Sequence, residues 1–304
     1  MIENKKILIT GGTGSLGQEL TKQLCMSNKI VIYSRNEERQ YNMSQHFNNT
    51  NIQFLIGDIR DTETLQNAMQ NCDYVIHAAA MKDLIMCEAQ TTQTYLNNIV
   101  GSKSVIVASS NISSISKVIA VSTDKAASPS NVYGASKYIM EKLFSEADSQ
   151  SQKAYASVRF GNMIDSKGSL IDIWKKNPDQ NIKLTHPEVT RFFFTVKDAA
   201  ETVLTALKKL KGGEIYIKKM KAAKIYDILR IITKRDQFDI IGLFPGEKIH
   251  EDLVSCNEVQ YCHDFGDYYV VIPDKQNPNP PAKFSSENAE YFSDRELENL
   301  IFNK

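Results

Sequence analysis

Residues 6–26 constrain the fold of this chain more than any other stretch. Lys6 to Thr10 is a short apolar run rich in β-branched residues, followed by Gly11-Gly12-Thr13-Gly14-Ser15-Leu16-Gly17 and a helix-forming run, Gln18 to Met26. A strand, a glycine turn and a helix in that order form a cradle for a pyrophosphate. Gly11, Gly14 and Gly17 let the backbone turn, approach the phosphates and pack the helix on the sheet, with Thr13, Ser15 and Leu16 in the same loop. The helix N-terminus adds free N–H groups and a partial positive charge.

The next strand, Ile30 to Tyr33, identifies the nucleotide that such a cradle would hold. It ends in Ser34 and Arg35, where an NAD site usually carries an acid for the ribose 2′-hydroxyl. A hydroxyl and a guanidinium suit a 2′-phosphate instead, so NADP is expected. A third strand, Ile52 to Ile56, leads to Asp58 and Ile59, and Asp58 is a candidate acceptor for the adenine amino group. The fourth, Tyr74 to His77, enters Ala78-Ala79-Ala80, whose small side chains let the backbone pass close to the nicotinamide half; His77 is expected to pack rather than act as a base. Asn98, three residues before Gly101 in a helix expected over 97–110, joins the cofactor set.

Alternation of strands and helices through residue 160 predicts an α/β fold, a Rossmann-type doubly wound parallel sheet with right-handed crossovers. Asp61 is expected to cap a helix. Past Val158-Arg159-Phe160-Gly161-Asn162 the pattern becomes irregular, with turn-rich stretches at 165–168, 177–179 and 185–188. The expected organisation is an NADP-binding core of residues 1–165, with 186–212 returning to it, and a smaller, partly intertwined C-terminal substrate lobe of 166–185 and 213–304. An amphipathic helix is expected over 198–211, stopped by Gly212-Gly213. A turn and helix start are expected at Pro245-Gly246-Glu247-Lys248, and an extended loop over 273–281.

Ser122 to Lys137 holds the densest set of candidate catalytic side chains. Val118 to Val121 should be a buried strand, which puts Thr123, Asp124 and Lys125 at its carboxyl edge, where open parallel sheets bind ligands. Tyr133 and Lys137 lie four apart on a helical pattern and therefore on one helix face. Beside a dinucleotide they suit oxidation of a carbinol carbon: Lys137 and an oxidised nicotinamide favour the Tyr133 phenolate, and Thr123 holds the same hydroxyl. Asp124 and Lys125 are surplus to that step. Next to a new ketone the α-proton is acidic, and a base there plus an acid at the following hydroxyl eliminates water. Lys125 is expected to be the base, its pKa lowered by a crowded cationic site, and Asp124 the acid.

A formal net charge of zero and 24 % charged residues leave no basic surface for nucleic acid, so a small molecule is the expected partner. No apolar run approaches the roughly 20 residues that span a bilayer, and the N-terminus enters a strand without a signal-like segment, so a soluble, cytoplasmic protein with no membrane contact is expected. The five cysteines read as reduced thiols. Cys256, Cys262, His263 and His250 lack ligand spacing, and no metal is expected.

At these residues the chain resembles the extended short-chain dehydrogenase/reductases, and among them the UDP-N-acetylglucosamine 4,6-dehydratases of the C5-inverting kind. The resemblance runs nearly end to end, through Thr10 to Gly17, Ser34-Arg35, His77 to Lys82, Ser122 to Lys137, Arg159 to Asn162, Thr190 to Phe192, Pro245 to Glu251 and Phe284-Ser285-Ser286. Ser122 to Ala127 is the most discriminating, since the related dTDP-glucose dehydratases carry an Asp-Glu pair there. The resemblance implies that Tyr133 deprotonates the C4 hydroxyl of UDP-GlcNAc, Lys125 removes the C5 proton and Asp124 protonates the departing C6 hydroxyl. It implies substrate contacts at Lys82, Asn162, Arg191 and Glu247, and a homo-oligomer. Asp83 and Ile85 replace a usual His and Pro, and Asp165 a usual Gly, where substrate would lie. An epimerase or a retaining dehydratase on the same residues is the alternative reading, and a non-enzymatic NADP sensor a third.

Overall fold

Ile7 and Ile9 pack into one hydrophobic cluster and Leu8 into another, because successive strand residues point to opposite faces. Ile30 and Ile32 against Val31 and Tyr33, and Ile119 against Val118 and Ala120, repeat the division, so a sheet with both faces covered runs through the molecule. The computed structural model describes residues 2–47, 50–164, 166 and 169–302. Its strands are β1 (Lys6–Thr10), β2 (Lys29–Ser34), β3 (Ile52–Ile56), β4 (Tyr74–His77), β5 (Lys117–Val121), β6 (Ala154–Arg159) and β7 (Asn162–Met163). They continue with β8 (Thr190–Phe194), β9 (Ile215–Lys218), β10 (Ala222–Lys224), β11 (Asp252–Val254), β12 (Cys262–Asp264), β13 (Tyr268–Val271) and β14 (Phe284–Ser285). The nine-stranded sheet has the order β12-β13-β9-β6-β5-β4-β1-β2-β3. From β9 to β3 every pairing is parallel, and the β12–β13 hairpin closes one edge antiparallel.

The helices are α1 (Ser15–Leu24), α2 (Glu37–His46), α3 (Thr62–Ala68), α4 (Leu84–Ala89), α5 (Thr91–Thr94), α6 (Gly101–Ser110) and α7 (Val132–Ser149). After them come α8 (Leu170–Lys176), α9 (Val196–Lys209), α10 (Ile225–Thr233) and α11 (Asp294–Phe302). Leu16, Leu20 and Leu24 of α1 join Ala199, Val203 and Leu207 of α9 on one face, while α3, α6 and α7 cover the other. The result is the doubly wound α/β sheet that the alternation predicts. A smaller lobe has its own core of Ile164, Ile171, Phe193, Ile228, Ile231, Leu297 and Ile301. The small sheet β10-β8-β7 adjoins it, while Leu253 and Val254 of β11 and Phe284 of β14, the other small sheet, pack on the main core. β9, β12 and β13 lie in the large sheet, although the sequence places 213–304 in the substrate lobe.

Three local expectations change. The helix over 97–110 begins as a π-helical turn, Tyr95–Val100, and becomes α-helical only at Gly101. No helix follows Pro245: the Glu247 N–H donates to Phe244 O and the Glu247 carboxylate accepts the Phe244 N–H, closing a tight turn with Gly246 at φ 77°. The helix expected over 198–211 starts earlier, where Thr195 and Asp198 form a reciprocal capping box. Asp61 caps α3 through the Thr64 N–H, as read from the sequence. Of 165–168 only Ser166 is described, so the reading of Asp165 lies outside the described residues.

Candidate active site

A cleft of about 1320 Å³ opens along the carboxyl ends of the parallel strands. Its wall takes Gly11 after β1, Ser34 and Arg35 at the end of β2, Ala78 after β4, Ser122 and Thr123 after β5, and Phe160 and Gly161 after β6. Open parallel α/β sheets bind ligands at this edge. Among the described residues no group of three His, Cys, Asp or Glu could hold a metal ion, and no helix is long and apolar enough to cross a membrane.

One half of the cleft fits a dinucleotide. Gly11 has φ 66°, and a Cβ there would lie 2.8 Å from Ala79 Cα, so glycine is needed both for the turn and for the passage of the Ala78–Ala80 backbone. Gly14 caps α1 without a side chain, and the first turn of α1 carries no acid. Gly11, Thr13, Gly14, Ser15, Leu16 and Gly17 all line the cleft, as do Ile59, Ala78, Ala79 and Ala80. At the far end stand Ser34, Arg35 and Arg39, the last a residue the sequence reading missed because it lies one turn into α2. Asp58 is committed elsewhere: Arg60 binds its carboxylate at 3.0 and 2.6 Å and holds it below the usual aspartate range, and Arg35 lies 3.5 Å away.

Asn98 is also placed differently from the expectation. It is buried in the π-helical turn, where its side chain bonds both the N–H and the carbonyl of Met81 and donates to Ser136 Oγ. It ties the loop after β4 to α7, and its neighbour Asn97 faces the cleft. His77 is buried between Thr10 and Ser102 hydroxyls, and burial pulls its pKa down to about 3, so it is a neutral packing residue.

The other half brings the expected catalytic residues together. Thr123 follows β5 and accepts the Lys125 N–H, starting a single 3-10 turn over Asp124–Ala126. Asn131 caps α7, which presents Tyr133 and Lys137 to the cleft. A Cβ on Gly134 would collide with the Lys125 carbonyl, so glycine beside Tyr133 lets α7 approach the Asp124–Lys125 turn. Burial, with Asp124 adding to it, holds the Tyr133 phenol above its ordinary value, while a Thr123 hydrogen bond works the other way. Lys137 donates to Met140 Sδ at 2.9 Å, and burial pulls its pKa down to about 7 against the pull of Glu141.

The electrostatics of Lys125 differ from the expectation. Its amine is 2.9 Å from Asp124 Oδ1 and 3.6 Å from Glu251 Oε1. Burial acts to discharge it, yet the two carboxylates outweigh that and Arg191, and its pKa is raised. The crowding is real, but carboxylates rather than cations dominate the charge that Lys125 feels. Asp124 is fully buried, accepts from Thr123 and Lys125, and its Oδ2 has no hydrogen-bond partner among the described residues.

The implied substrate contacts converge on the same cleft. Asn162 lies on β7, and Lys82 donates to Ser166 Oγ at 3.3 Å, its pKa lowered by burial and by Arg39. Arg191 on β8 reaches Glu247 at 3.3 Å and the carbonyls of Thr190 and Ile249. Asp83 and Ile85, the two substitutions noted above, also line the cleft.

The sequence matches the polysaccharide biosynthesis protein family over residues 7–273. The chain belongs to that family. It is 38 % identical over 294 residues to a protein of Campylobacter jejuni subsp. jejuni named UDP-N-acetylglucosamine 4,6-dehydratase (inverting), covering 94 % of this chain and 88 % of the relative. It is 34 % identical over 294 residues to a Rickettsia bellii protein named UDP-glucose 4-epimerase, covering 92 % and 86 %. Among solved structures, Pen from Bacillus thuringiensis superposes with a TM-score of 0.91 at 34 % identity, covering 99 % of this chain and 98 % of that one.

Proposed function

We propose that this family member is a 4,6-dehydratase of UDP-GlcNAc that uses NADP and inverts C5. The observation that carries the reading is the Asp124–Lys125 pair, 2.9 Å apart at the end of β5 beside Tyr133, in a chain 38 % identical to an enzyme named for that reaction. The glycine cradle and the Ser34, Arg35 and Arg39 end support an NADP-sized cofactor with a 2′-phosphate. When bound, that cofactor supplies the hydride acceptor for C4 and the donor for C6.

The chain's own residues supply the proton chemistry and the positioning. Tyr133, hydrogen-bonded to Thr123, takes the C4 hydroxyl proton, and Lys137 lies one helical turn away on the same side of α7. Oxidation at C4 acidifies the C5 proton, and the Asp124–Lys125 pair moves one proton from C5 and one to the C6 hydroxyl, which leaves as water. Arg191 and Lys82 provide the cationic wall for the nucleotide diphosphate, and Asn162 holds the neighbouring groups. The large sheet holds the cofactor, and the lobe of β7, β8, β10, α8, α10 and α11 takes the sugar nucleotide.

The test is incubation of UDP-GlcNAc with the NADP-loaded protein in deuterated water. The expected product is a 4-keto-6-deoxy sugar nucleotide with deuterium at C5, and NMR of C5 reads its configuration. A product that keeps the C6 hydroxyl and differs only at C4 would establish the epimerase reading instead, which the 34 % identity to a UDP-glucose 4-epimerase supports.

The cofactor reading has its own check. Arg35→Ala should weaken NADP by about tenfold or more, the scale of a hydrogen bond to a charged group, and leave NAD nearly unchanged. Equal losses for the two nucleotides, measured by fluorescence quenching, would remove the 2′-phosphate from the site.

A further inference from the structure

We propose that Glu251 is a positioning residue for the proton-transfer step: together with Asp124 it holds the Lys125 amine, and Lys248 tunes its grip. The inference rests on the dehydratase reading above and adds a residue to its machinery. Lys125 lines the cleft, and its amine is held there, 2.9 Å from Asp124 and 3.6 Å from Glu251. Glu251 is itself 1 % exposed, and no wall of the cleft includes it, so it acts through Lys125 and not on substrate.

Glu251 is tied in place through its main chain and through ion pairs of its carboxylate. The Glu251 N–H donates to Ser286 Oγ, whose hydroxyl also meets Thr190 on β8. Oε2 lies 3.0 Å from Lys248 Nζ, and that same ammonium donates to the carbonyl of Ser128, three residues after Lys125. Glu251 therefore joins the segment 248–254 to the catalytic turn. Gly246 reinforces the joint by accepting from Ser130 and Asn131 just before α7.

The charges around Lys125 decide its proton affinity. Facing it are Asp124 on its own turn, Glu251 on the incoming segment, whose other oxygen meets Lys248, and Arg191 on β8, which is paired with Glu247. Tyr133 on α7 lies against Asp124, and His250 bonds the Thr190 hydroxyl next to Arg191. A carboxylate removed from this set makes the amine easier to deprotonate, and a cation removed makes it harder. Neutralising Glu251 and neutralising Lys248 should thus move the same titration in opposite directions, which a loss of packing would not do.

The experiment measures the rate of C6 dehydration of UDP-GlcNAc against pH for wild type, Glu251→Gln and Lys248→Met, each NADP-loaded and each checked for Tm. The alkaline limb on which the Lys125 amine is freed should move to lower pH in Glu251→Gln and to higher pH in Lys248→Met. At a fixed pH on that limb the two variants should differ by about tenfold or more in the fraction of enzyme carrying a free amine. Superimposable profiles in both variants would overturn the proposal. If Glu251→Gln does not fold, an unmoved or acid-shifted limb in Lys248→Met overturns it alone, since Lys248 is partly exposed. Failure of wild type to dehydrate UDP-GlcNAc at any pH would count against the dehydratase reading, a result distinct from unmoved limbs in an active enzyme.

Discussion

Lys125→Ala should lose C6 dehydration by about 10²–10⁴-fold, the usual cost of removing a general base or acid, while the nicotinamide cofactor still binds. Lys125 faces the cleft, whereas Asp124 behind it is fully buried, so the lysine is the member of the pair that can reach substrate directly. The glycine cradle and the Ser34–Arg39 end do not touch Lys125, which is why cofactor affinity should persist. The variant also leaves Asp124 without its cation, and an uncompensated buried charge costs about 3–5 kcal/mol. Nucleotide binding and Tm must therefore be measured with activity. Dehydration within a few-fold of wild type, with the fold intact, would remove Lys125 from the proton-transfer role.

Arg159→Met should be the most destabilising single change away from the cleft. Arg159 is 0 % exposed at the end of β6 and binds Glu141 of α7 at 3.0 and 2.6 Å and Glu258 at 3.0 and 2.8 Å. It also donates to the Leu253 carbonyl on β11. One guanidinium thus joins the large sheet, α7 and the segment that carries Glu251. Its loss leaves the buried Glu141 carboxylate and the partly buried Glu258 carboxylate facing each other, for a cost of about 3–5 kcal/mol. In a chain of this size that is a fall in Tm of about 5–10 °C or more. Arg159→Met combined with Glu141→Gln should recover part of the loss, because the coupled partners are then removed together. A single variant as stable as wild type would show that the network contributes nothing.

Much of the core was legible because its signals are local. The strand, glycine turn and helix at 6–26 needs only backbone geometry and hydrophobic period, and β1 begins and ends where the pattern does. The same holds for β3, β4 and the Asp61 cap. Tyr133 and Lys137 share a helix face because a helix repeats every 3.6 residues. The helix expected after Pro245 failed for a reason of the same scale: Glu247 folds back on the Phe244 N–H, which a hydropathy pattern does not encode. The π-helical turn at Tyr95–Val100 likewise leaves no mark on the pattern and re-aims Asn98 from the cofactor toward Met81 and Ser136.

The sequence by itself determined the doubly wound sheet, the phosphate cradle and the residue types at the end of β5, since each depends on neighbours within a few positions. Tertiary structure alone decided their electrostatics. Asp124 and Lys125 are adjacent in the chain, but whether the lysine is pushed toward its neutral or its charged form depends on Glu251, 126 positions later, and Glu251 is buried against it only because the segment leading into β11 packs on the Asp124–Ala126 turn. Coulomb interactions act through space and grow as burial removes water, so their sign at Lys125 is a property of the assembled fold.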